Sequence, residues 1–124
     1  MKEEVRTEKE RQDLKKRTQD FALRIMKMVD SLLRTVSGYV VAKQIVRSGT
    51  SVAANYRATQ RARSKAEFIS KMHIVLEEVD ETFFWLSLIM EGKLMPKEKM
   101  ESLYKEANDL TAIFTSSLKT LKKT

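Results

Sequence analysis

The chain has 124 residues, with 24 Lys and Arg against 17 Asp and Glu for a net charge of +7, and it contains no cysteine. That rules out disulfides, thiolate nucleophiles and zinc–cysteine sites, while this length lets one domain bury about two-thirds of its unfolded surface. Three glycines and one proline leave little turn material, and 42% hydrophobic with 33% charged residues describes an all-α protein.

Residues 1–17 mix Glu, Lys and Arg with only Val5 and Leu14 to bury. They read as a charged N-terminal extension that either lengthens the first helix or stays mobile. No apolar signal-like core occurs there, and the longest apolar run, 83–90, is interrupted by Ser87 and far too short to span a bilayer. A soluble, cytoplasmic protein without a membrane partner is expected.

Residues 18–124 then divide into four helices. The first, about 18–36, places Phe21, Ile25, Met28, Leu32 and Val36 at spacings of three and four, and Ser37-Gly38 ends it. The second, about 39–61, carries Val41, Ile45, Ser48, Val52, Tyr56 and Thr59 on one face. The third, about 64–91, opens on the capping-box pattern Ser64-Lys65-Ala66-Glu67, steps through Phe68, Met72, Val75, Val79, Phe83, Leu86 and Met90, and closes at Gly92. Pro96 begins the fourth, about 96–121, with Met100, Leu103, Ala107, Leu110, Phe114, Ser117 and Leu121 in a nearly strict heptad stripe. Short connections force neighbours antiparallel, which predicts an up-down-up-down four-helix bundle.

Charge is concentrated on the second helix. Residues 31–66 hold seven cations and no acid, equal to the whole net charge. At 100° per residue Lys43, Arg47, Arg57, Arg61 and Lys65 fall within about 40° of one line, opposite the apolar stripe, with small Thr50 and Ala54 between them. Without acidic neighbours on that helix there are no i to i+4 partners, so the cations, with Arg63 on the following turn, are expected to stand unpaired. Such a face suits phosphates, with salt-sensitive binding and little sequence selection. Only Tyr39 and Tyr56 accompany it, which favours duplex or structured RNA over stacked single strands. Gly49, beside Ser48, Thr50 and Ser51, marks either a bend or a close helix contact, and a local kink is expected; the further glycines and Gly-Lys-Ser/Thr pattern of a phosphate loop are missing. Asn55 is expected to make a structural hydrogen bond.

On the third helix Glu77, Glu78, Asp80 and Glu81 form an acidic patch suited to solvent or to pairing with the arginines of the second. A di-metal site would need Glu-x-x-His on two helices, and His73 is the single histidine, so neither a metal nor a cofactor is expected. The run 83–90 is apolar around the whole helix. Ile74, Phe84, Trp85 and Leu88 project outward and are expected to form an oligomer interface. No nucleophile, base and orienting residue converge, so no catalytic residues and no small-molecule substrate are assigned.

The stretch 47–86, a third of the chain, resembles the bacterial proteins encoded in intervening sequences of 23S ribosomal RNA genes. The matching residues are Ser51-Val52-Ala53-Ala54-Asn55-Tyr56, the turn Arg61-Ala62-Arg63-Ser64-Lys65 with Glu67-Phe68-Ile69, and Glu77-Glu78-Val79-Asp80-Glu81 ahead of Trp85-Leu86. The resemblance implies a basic four-helix bundle that assembles as a ring-like homopentamer and binds nucleic acid. A related branch, the accessory protein of diversity-generating retroelements, implies an alternative: a module docking an acidic protein such as a reverse transcriptase. Many relatives carry proline where this chain has Ala53, which weighs against a sharp kink, and an acidic residue where it has Arg57, which makes the basic face stronger here. The family implies no catalytic residues.

Overall fold

The structure, a computed structural model, describes residues 6–123. Its first helix, α1 (Glu8–Val29), starts at Thr7, whose hydroxyl accepts from the Glu10 amide at 3.1 Å, with Glu8 and Glu10 in the first turn and Lys27 in the last, as the helix dipole favours. Residues 8–17, expected as part of a charged extension, are therefore helical, and residues 1–5 lie outside the described residues. Two contacts hold this half of the helix down. Leu14 and Thr18 are buried in line with Phe21, Ile25 and Met28, and Arg17 forks onto Glu106 of the last helix at 2.8 and 2.6 Å.

α1 stops at Val29 rather than near 36. Leu32 is buried from within the connecting loop, so its spacing mimics one more helical turn. Thr35 instead caps α2 (Val36–Thr59), accepting from the Gly38 amide at 3.0 Å, which places Ser37-Gly38 inside the first turn of α2 rather than at the end of α1. All six predicted core residues of α2 are buried.

Gly49 leaves α2 uninterrupted. A Cβ there would sit 3.0–3.3 Å from the Ile25 side chain, so what the glycine serves is the close approach of α1. Ser48 faces the other neighbour, where its hydroxyl lies 2.9 Å from that of Thr82. Each has a backbone carbonyl in reach, Ile45 at 3.3 Å and Glu78 at 2.8 Å, so both buried protons find acceptors.

α3 (Lys65–Glu91) begins at Ser64, which accepts from the Glu67 amide at 3.1 Å, while Glu67 accepts from the Arg63 amide at 3.3 Å. At the far end Gly92 has φ −79°, and Lys93 takes the left-handed conformation with φ 54°. Pro96 leads into a single 3-10 turn, Lys97–Lys99, before α4 (Glu101–Lys123); all seven residues of the predicted stripe are buried, six of them in α4 and Met100 just ahead of it. On α3 the stripe drifts: Thr82 and Ile89 reach the core while Phe83 and Met90 sit at its edge.

The four helices form a bundle. Arg6 meets Ser117, Arg17 meets Glu106 and Arg24 meets Ser102, so α1 and α4 run in opposite directions. Tyr56 and Phe114 face each other across the centre at 5.7 Å between rings. The 30–35 and 92–96 loops meet at one end, where the Leu33 amide donates to the Leu94 carbonyl at 3.3 Å. The start of α1, the α2–α3 turn and the end of α4 share the other end.

Candidate nucleic-acid interface

Burial of Val41, Ile45, Val52 and Tyr56 fixes the rotation of α2 and turns Lys43, Arg47, Arg57 and Arg61 to solvent, with Arg63 exposed on the next turn and Lys65 half-buried at the head of α3. The expected row is interrupted at Arg47. Its guanidinium binds Glu78 at 3.3 Å and also contacts Glu81, so this cation does not stand unpaired. Scanning α2 for acids at i to i+4 misses the pair because both carboxylates come from α3. Burial of Glu78 raises its carboxyl pKa above the ordinary value, and the attraction of Arg47 only partly opposes that.

Lys43, Arg57, Arg61 and Arg63 make no ion pair among the described residues. Arg57 and Arg61 line a cleft of about 290 Å³ whose opposite wall is the first half of α1, with Glu8, Arg11, Gln12 and Lys15. Sequence reasoning missed Arg11 and Lys15 because they lay in the presumed extension. The signal was present, since Leu14, Thr18 and Phe21 continue the α1 stripe backward at spacings of four and three. Asn55 is structural, its amide donating to the Ser51 carbonyl at 2.8 Å.

Of the residues expected at an oligomer interface, Ile74, Phe84 and Leu88 are exposed by 40%, 52% and 37%. Trp85 departs from the expectation: its indole leans into the edge of the core, edge-on to Phe84 at 5.0 Å, with Nε1 buried and without an acceptor among the described residues. Six further exposed apolar side chains were not foreseen. Leu23 and Met26 of α1, Leu33 of the loop, and Val36, Tyr39 and Val40 of α2 are all at least 47% exposed. Assigning Val36 to the first helix's core stripe had hidden it.

His73, half-buried, borders a shallow hollow with Glu77 and Asp80. No group of three His, Asp or Glu suited to a metal ion occurs among the described residues, and none of their helices is long and apolar enough to cross a membrane.

The sequence profile of the 23S rRNA-intervening sequence proteins matches residues 10–116. The chain belongs to that family. The match begins two residues into α1 and includes Arg11 and Lys15 of the cleft. Among solved structures, this intervening-sequence protein is similar to a protein of unknown function from the S23 ribosomal protein family of Bacteroides thetaiotaomicron. The two are 35% identical with a TM-score of 0.78, over 85% of this chain and 97% of that one. Comparison with curated proteins gives no match.

Proposed function

We propose that this protein is a non-enzymatic, homo-oligomeric bundle that binds RNA or DNA through backbone phosphates, with Lys43, Arg57, Arg61, Arg63 and Lys65 as the contacting cations and Arg47 held in reserve by Glu78 and Glu81. The observation that carries this reading is the exposure of Lys43, Arg57, Arg61 and Arg63 without carboxylate partners among the described residues. Cations so placed release counterions from a polyanion, which gives affinity without base selection. Family membership supports a ring-like pentamer, with Ile74, Phe84 and Leu88 as the exposed apolar contacts and Trp85 behind them. The lack of cysteine fits a cytoplasmic setting.

Charge reversal tests the reading. Arg57→Glu with Arg61→Glu is expected to abolish binding of an RNA or DNA duplex, followed by fluorescence anisotropy at moderate salt, and unchanged binding would overturn it. A second reading, docking of an acidic protein such as a reverse transcriptase, draws on Val36, Tyr39 and Val40, which adjoin Lys43 on the same outward face. Under that reading the double variant keeps duplex binding, and Tyr39→Asp with Lys43→Glu loses the protein partner.

A further inference from the structure

We propose that the cleft between the first half of α1 and the last turn of α2 seats one backbone phosphodiester, held from two helices by Lys15, Arg57 and Arg61. The inference rests on the nucleic-acid reading and sharpens it from a charged face to a defined seat. Along α2 alone the cations are strung out, since Lys43 and Arg57 lie about 21 Å apart at 1.5 Å per residue, and no single phosphate meets both. At the cleft two helices bring cations together. Its walls carry four basic residues against one acid, Glu8, and that acid already binds the Arg11 guanidinium at 2.7 Å. The Gln12 amide donates to the same carboxylate at 3.1 Å, so the acidic charge is drawn into α1. Lys15, Arg57 and Arg61 have no carboxylate partner among the described residues. The volume of about 290 Å³ is at the lower end of what holds a small ligand, enough for a phosphodiester.

Lys15 discriminates the seat from the face, because it lies on α1 and contributes nothing to the α2 row. Duplex RNA binding is followed by anisotropy across a series of salt concentrations for the full chain and for Lys15→Gln, Lys43→Gln and Arg61→Gln. Lys15→Gln is expected to weaken binding and lower the slope of log K against log salt by about 0.9, as Lys43→Gln does. Combined with Arg61→Gln it is expected to cost less than the two single losses together, whereas Lys43→Gln combined with Arg61→Gln is expected to be additive. Lys15→Arg should restore both affinity and slope. If Lys15→Gln binds with unaltered affinity and slope while Arg57→Glu with Arg61→Glu abolishes binding, the seat is wrong and the basic face stands. If the double reversal also binds normally, both fall.

Discussion

Lys93 occupies the left-handed position after α3, where the sequence offers glycine one residue too early. Gly92 is fixed there by its own crowding, since a Cβ would lie 2.8 Å from the Leu88 carbonyl oxygen. Lys93→Gly is expected to stabilise the fold by about 0.5–1 kcal/mol, measured by urea denaturation, because a side chain at positive φ is strained and glycine is not. Glu78 offers a test in pH. Its carboxyl is raised above the ordinary value, first by burial, so in that window the native state binds more protons than the unfolded chain and stability falls as pH rises. Glu78→Gln should therefore be at least as stable as the parent at pH 7. The advantage should vanish below the ordinary carboxylate range, where both states are protonated. A deficit at pH 7 that disappears on acidification would show the Arg47 attraction to dominate. The pairing of Glu78 with an α2 arginine was legible in the sequence, but its burial and that of Trp85 were not, since both depend on what another helix places beside them.

At the scale of the helices, legibility followed how completely one stripe decides the packing. The α2 and α4 stripes could be read in full because every position of each is buried. The limits of α1 could not. Its N-terminal half is docked by Leu14 and the Arg17–Glu106 pair, a contact 89 residues apart in the chain, and its end was masked by Leu32 packing from a loop. The α1–α2 crossing depends on Gly49. Gly49→Ala gains helix propensity of about 1 kcal/mol but drives a methyl group against Ile25, which is fully buried and stiff at its branched Cβ, at a cost of about 1–3 kcal/mol. The expected net effect is a loss of about 1 kcal/mol in urea denaturation. A double-mutant cycle with Ile25→Ala should show favourable coupling, as deletion of that side chain removes the clash.

For the whole molecule, the all-α class, the four helices and the outward turn of the α2 cations were legible because hydrophobic periodicity encodes them directly. The acidic patch of α3 was legible as a partner for the arginines of α2; that Arg47 is the one it takes, and that further apolar side chains are left exposed, was not, since both arise only when separate segments are brought side by side. Assembly is the property to test at this scale. Phe84→Glu with Leu88→Glu is expected to give a 14.4 kDa species by light scattering at micromolar concentration, where the parent scatters as a larger particle. A parent that is itself 14.4 kDa would contradict an interface on α3.

The meeting of the two loops through Leu33 and Leu94 gives the bundle a top and a bottom of different character. Val36, Tyr39 and Val40 cluster toward the loop end, while Lys15, Arg57, Arg61 and Arg63 gather at the other. Any closed assembly whose subunits stand parallel would collect the positive poles on one rim. Under the proposed function, a long polyanion would then touch several subunits along that rim at once, and its affinity would rise with the number of subunits in the assembly.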